Sequence, residues 1–292
     1  GDVRELWRRR LERVVESVDA EEPARVWRAL ERAAALGREV EAGEWRELAG
    51  RLGLDEADSL RRALIDRALA ERTDEGWAFA HGMLVESLER RADEGGRFEE
   101  HHRACAELLD ELYPGQADAT AGRRARHLEY AGSLEAAIEA RWRQNEFLAR
   151  RGKHDGALEA LDRRRELLER IGAPECDERR IETDIFAAYW ELYLGDSPEE
   201  TVEAMEPVLE RARTAGVGRL VSHAHRIASI ARRRAGELSE SHEEARRAVE
   251  AARGGPFEAL HQALEQSGWS HLWTGEPDTA VAHAEEALEI SR

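Results

Sequence analysis

The only lysine of this 292-residue chain, Lys153, sits in the stretch RGKHDG, the one place where a phosphate-binding loop could be sought. Such a loop needs Gly-Lys followed by Ser or Thr, whose hydroxyl holds the magnesium ion, and an earlier glycine that lets the backbone cradle phosphate. Here His154 follows the lysine, and Phe147 occupies the position of the first glycine. In HHRAC, His101 and Cys105 are four apart and share a helix face, but two ligands are not the four of a structural zinc site. In SHAH, His223 and His225 are two apart and therefore point to different faces of a helix. Acidic pairs are frequent, as expected in a chain that is 36% charged, and no serine or cysteine has a nucleophile signature around it. The sequence thus offers no catalytic residue, no metal site and no cofactor site, and the expectation is a non-enzyme.

Composition narrows the partners. The net charge is −18, and an acidic chain repels phosphate backbones, so nucleic acid is excluded as a general partner. No run of about 18 apolar residues exists to span a membrane. Cys105 and Cys176 are too few and too distant for a disulfide framework, which points to a reducing cytoplasm. The chain starts at Gly1 rather than Met, and it reads as a piece of a longer protein.

Any function must then rest on binding, and the elements that present side chains are helices. Ala, Leu, Glu and Arg dominate, and all four favour helix. Apolar residues recur at three and four positions, as in Leu158, Leu161, Leu167, Leu168 and Ile171. Breaks recur in YAGSLEAA, RRGKHDGA, YLGDSPEE, RAGELSES and WTGEPDTA. Their glycines, Gly132, Gly152, Gly195, Gly236 and Gly275, suit the left-handed position that ends a helix. Pro198 and Pro277 suit the first turn of the next one. From Gly152 the spacings are 43, 41 and 39, a series of antiparallel helical hairpins.

Around Gly275, small residues stand at Gly268, Ala280, Ala284 and Ala287, and around Gly236 at Ser229, Ser241, Ala245 and Ala248. Ala188 and Thr201 flank Gly195 in the same way, and Ala157 follows Gly152. This pattern resembles the tetratricopeptide repeat, whose two helices cross at small residues, where larger ones would overpack the crossing. The resemblance covers roughly residues 98–292, with a spacing longer than the family's usual one. It implies a right-handed α-solenoid of tetratricopeptide-like hairpins.

Residues 1–97 do not repeat. LWRRRLERVV is one amphipathic helix, ARVWRALERAAALG a second ended by Gly37, EWRELAGRLG a third ended by Gly53, and DEADSLRRALIDRALAERT a fourth. DEGWAFAHGMLVESL then holds a turn, a short alternating aromatic run and another helix. Helices followed by a hairpin-like turn spell a winged helix. The candidate recognition helix mixes Arg61, Arg62, Arg67 and Arg72 with Asp58, Asp66 and Glu71, the charge pattern of a solvated face rather than a DNA-binding one. The expected fold is all-α, with a winged-helix-like lobe over residues 1–95 and tetratricopeptide-like repeats over 96–292, joined at RADEGGRF.

AAALGREVEAGEWRELAG, LRRALIDRALAERTDEGWAFAHGMLVESL and HHRACAELL together resemble the region that follows the nucleotide-binding core in bacterial STAND-class signal-transduction ATPases. That class includes MalT and LuxR-type relatives and kinase–ATPase–repeat proteins. The resemblance implies that His81 aligns with a nucleotide-sensing histidine, although Gly82 stands where the family has aspartate. For the repeats, the family pattern implies that first helices line a concave groove. That pattern places Tyr189, Tyr193, His223, Arg226, Arg233, Arg234, Trp269 and Trp273 there. Aromatics beside arginines are the composition of binding hot spots, and the arginines favour a carboxylate-bearing partner. The expected function is a non-catalytic protein-interaction and sensor module of a larger regulatory ATPase or kinase. It would bind an acidic protein or peptide, or another domain of the same chain. The alternatives are a regulatory part that senses nucleotide through His81 and, more weakly, a DNA-binding regulator. Trp269 and Trp273 have a simpler reading as packing for a following repeat.

Overall fold

The structure is a computed structural model that describes residues 3–18, 22–54, 57–195 and 197–291, with side chains from residue 7 onward. The described residues form fifteen α-helices and one small sheet. They divide into two compact units, Gly1–Ala140 and Arg141–Arg292.

The first unit runs α1 (Val3–Val18), α2 (Pro23–Leu36), β1 (Glu39–Glu41), α3 (Ala42–Gly50), α4 (Ala57–Asp66), β2 (Ala70–Arg72), β3 (Gly76–Phe79), α5 (Gly82–Glu94), α6 (Phe98–Leu112) and α7 (Ala117–Tyr130). The division falls inside α8 (Leu134–Arg150). The strands pair antiparallel in the order β1-β3-β2. The sequence pattern predicts only a short hairpin near Trp77, and β1 is the addition. Glu39–Val40–Glu41 buries Val40 alone and is held by β3. Gly76 permits that pairing, because a Cβ there would lie 2.2 Å from the Val40 carbonyl oxygen.

The expected fourth helix is also shorter than its pattern. α4 stops at Asp66, Ala68 takes a left-handed φ of 51°, and Leu69 donates to the Leu64 carbonyl. Residues 70–72 are then free to pair with β3, which buries Ala70. Trp45 and Trp77 meet edge to face at 5.6 Å, and Trp77 and Phe79 at 4.8 Å. Cys105 and Leu108 of α6 belong to this same core.

The second unit stacks α9 (His154–Arg170), α10 (Glu178–Leu194), α11 (Pro198–Thr214), α12 (Gly218–Arg234), α13 (Leu238–Ala252), α14 (Phe257–Thr274) and α15 (Pro277–Ile290). Each helix packs on the next, and α12 also packs on both α10 and α14. This is the all-α, tetratricopeptide-like hairpin array that the sequence pattern implies. Pro198 and Pro277 open α11 and α15, and Gly275 ends α14 at φ 83°. Gly195 departs from expectation. It is extended, with φ −110° and ψ −178°, while its N–H donates to the Glu191 carbonyl. Its own carbonyl instead accepts from Arg234.

The small residues mark the crossings. Ser241 Oγ donates to the Ser229 carbonyl at 2.8 Å, where α13 meets α12. One hairpin later, Gly268 and Ala280 occupy the same places. A Cβ at Gly268 would stand 3.5 Å from the Ala280 carbonyl oxygen.

Candidate functional site

Three first helices, α10, α12 and α14, put one face each on a common cavity of about 700 Å³. Helical spacing decides which residues reach it. Tyr189, Leu192 and Tyr193 come from α10, and Arg226, Ile230, Arg233 and Arg234 from α12. From α14 come Gln262, Glu265, Gln266, Trp269 and Trp273, a stripe at three- and four-residue steps.

Seven of the eight residues assigned to the groove line this cavity. The eighth, His223, does not. It lies one turn before Arg226, and its ring packs against Phe186 with centroids 5.6 Å apart. Burial, with Arg226 and Arg219 nearby, pushes its pKa down to about 4. Leu192, Ile230, Gln262, Glu265 and Gln266 were missed. The α14 stripe was the available signal for three of them.

Three of the four aromatic groups are open to solvent, and Tyr189 is partly buried. Trp269 is 60% exposed, and Trp273 and Tyr193 are each 58% exposed. Tyr193 rests on His154 at 4.3 Å, which holds its ring in place. The arginines are held in two different ways. Arg234 donates to the carbonyls of Leu192 and Gly195, tying α12 to the end of α10. Arg226 lies over Tyr189 at 5.7 Å, and Arg233 over Trp273 at 5.8 Å. The Nε of each is buried without a hydrogen-bond partner. Burial lowers the pKa of Arg226, opposed by Tyr189 and Glu265.

Trp269 also borders a second, mostly apolar cavity of about 430 Å³ on the α14–α15 hairpin, with Leu272, Val281 and Leu288. Trp273 borders the first and not the second. A simple packing role therefore fits Trp269 better than Trp273.

The other singled-out residues sit in the first unit. His81 is the exposed residue before α5, makes no side-chain cap bond, and tilts its ring onto Trp7 at 5.0 Å. His101 bonds Glu31 through Nε2 at 2.9 Å and Arg32 through Nδ1 at 3.3 Å. Arg97 completes the Glu31 site with two bonds of 2.9 Å. Burial opposes ionisation of Glu31, but His101 and Arg97 outweigh it and hold the carboxyl at about 2. Burial pushes the Cys105 thiol up to about 12, so it is an inert core group. No helix among the described residues is long and apolar enough to cross a membrane.

No protein-family model matches the sequence, and no curated protein does. Several solved structures are similar to the chain. BtubC (BKLC) from P. vanneervenii aligns over 70% of this chain and 85% of its own, with 16% identity and a TM-score of 0.48. A Rap protein complexed with competence and sporulation factor aligns over 90% of this chain and 77% of its own, with 14% identity and a TM-score of 0.49. A STAND protein with a tetratricopeptide repeat sensor from Pyrococcus horikoshii aligns over 96% of this chain but 46% of its own, with 15% identity and a TM-score of 0.44.

Proposed function

We propose that this chain is a non-catalytic protein-interaction module, and that the groove across α10, α12 and α14 holds a peptide segment of a partner or of another domain of the same protein. The observation that carries this reading is the convergence of Tyr189, Tyr193, Trp269 and Trp273 with three arginines on one open cavity. Exposed aromatics held by rigid helices supply contact area at low entropic cost. The module would serve as the sensor part of a larger regulatory ATPase or kinase. The order of the first unit, α2–β1–α3–α4–β2–β3, supports reading that part of it as a winged helix.

A random heptapeptide display selection on the purified chain tests the groove. Selected peptides should bind with micromolar Kd in fluorescence anisotropy. Replacing Trp269 and Trp273 together by Ala should weaken them at least about tenfold, as expected for losing two anchor residues, with helix content unchanged. An empty selection, or peptides indifferent to both changes, overturns the reading.

A further inference from the structure

The arginines of α12 divide by what neutralises them. Arg219 pairs with Glu182 at 2.9 Å and Glu178 at 3.1 Å, and Arg232 with Glu237 at 2.7 Å. Arg234 is bonded to two carbonyls. Arg226 and Arg233 have no carboxylate in ion-pair contact among the described residues, and the Nε of each is buried and unbonded. Among the described residues, Glu265 is the only carboxylate on the cavity wall. It is 59% exposed and lies 3.8 Å from His261. In a chain of net charge −18, a wall with three arginines and one glutamate is a local reversal of sign. A partly desolvated cation without a carboxylate in direct contact costs free energy that an incoming anion recovers.

The geometry of the pair is specific. Each guanidinium lies against one ring, Arg226 on Tyr189 and Arg233 on Trp273. A guanidinium beside a ring can still offer paired N–H groups on its planar edge to a carboxylate. The two arginines are seven residues apart, which is two turns on one helix face and about 10 Å along the axis. An extended segment near polyproline II geometry repeats every three residues, so side chains at i and i+3 share a side about 9 Å apart. Between the arginines the wall is apolar, with Ile230 on α12 and Trp269 opposite on α14.

We propose that the groove takes an extended acidic segment, with carboxylates three residues apart received by Arg226 and Arg233 and an apolar side chain between them against Ile230 and Trp269. This rests on the peptide-groove reading above and names the chemistry of its ligand.

The same heptapeptide selection separates the two claims. The enriched pool should carry acidic residues at i and i+3 around an apolar position. Changing either acidic residue of a selected peptide to its amide should weaken binding about tenfold, the loss of one charged hydrogen-bonded pair. Arg226→Gln and Arg233→Gln should each weaken the acidic peptide by a similar factor and leave its diamide analogue unchanged. Circular dichroism should show both variants folded. Enrichment without acidic residues, acidic residues at another spacing, or equal affinity for the variants overturns this inference and leaves the groove reading standing. An empty selection overturns both.

Discussion

The Arg233 guanidinium carbon stands 5.8 Å from the centre of the Trp273 ring, so a cation on α12 meets an indole on α14 across the groove. Trp273 is otherwise 58% exposed, and Arg233 supplies a contact that orients it. A double-mutant cycle of Arg233→Gln and Trp273→Leu should give a coupling of about 0.5–1 kcal/mol, the range for exposed cation–π pairs. The readout is urea unfolding. A coupling indistinguishable from zero would mean that the two side chains move independently.

Gly268 should tolerate one methyl group and no more. A Cβ there sits 3.5 Å from the Ala280 carbonyl oxygen and 4.0 Å from the His283 Cβ, ordinary contact distances. Gly268→Ala should be neutral or stabilising by up to about 1 kcal/mol, because alanine is the better helix former. Gly268→Leu should cost about 1–3 kcal/mol by overpacking the α14–α15 crossing. Thermal melts of the two variants check this, and equal melting temperatures would disprove the crossing argument.

Ser229 sits in a buried polar network. Its Oγ accepts from Gln266 Nε2 at 3.1 Å, and its carbonyl accepts from Ser241 Oγ at 2.8 Å. Ser229→Ala leaves the buried Gln266 amide without that partner and should cost about 1–3 kcal/mol. Ser229→Ala with Gln266→Leu removes both members and should recover most of the loss. A double variant as unstable as the sum of the single ones would refute the network account.

His102 and His127 make the first unit acid-sensitive. Their Nδ1 atoms are 3.0 Å apart, one ring donating to the other, and both Nε2 atoms are buried without partners. Burial, then Arg126, pushes His102 down to about 4 and His127 to about 2. The unfolded chain takes up protons as pH falls below about 6.5 while the folded pair does not. Stability is therefore complete above that pH. It should fall by up to about 1.4 kcal/mol per pH unit per histidine below it. The Glu31 site acts lower, between its ordinary value of 4.5 and about 2. Urea midpoints at pH 7.5 and 5.0 should differ less for His102→Gln with His127→Gln than for the unchanged chain. His223, also depressed by burial, remains in both. An equal pH response would remove the pair from the account.

Local features of the sequence were enough for the helices and many of their ends. Periodicity of Leu and Ala, proline at Pro198 and Pro277, and glycine at Gly275 act over one or two turns, and each is found where its chemistry requires. The small residues at Ser229, Ser241, Gly268 and Ala280 were equally legible, since only close helix crossings need them. Seven of the residues that the family resemblance placed on the groove line one cavity.

What the sequence could not decide depended on partners distant in the chain. β1 is a strand because β3 pairs with it, and its own residues, Glu-Val-Glu, carry no strand signal beyond one buried valine. β2 looked like the last turn of a helix until Ala68 adopted a left-handed conformation. Arg226, Arg233 and Arg234 are alike in sequence. Only packing shows that Arg234 is bonded to the end of α10, while the other two lie unpaired against rings. Helix formation is set by neighbours within four residues, so sequence alone determined the hairpins. Ion pairing and burial are set by which faces meet across helices, and only the tertiary structure decided them.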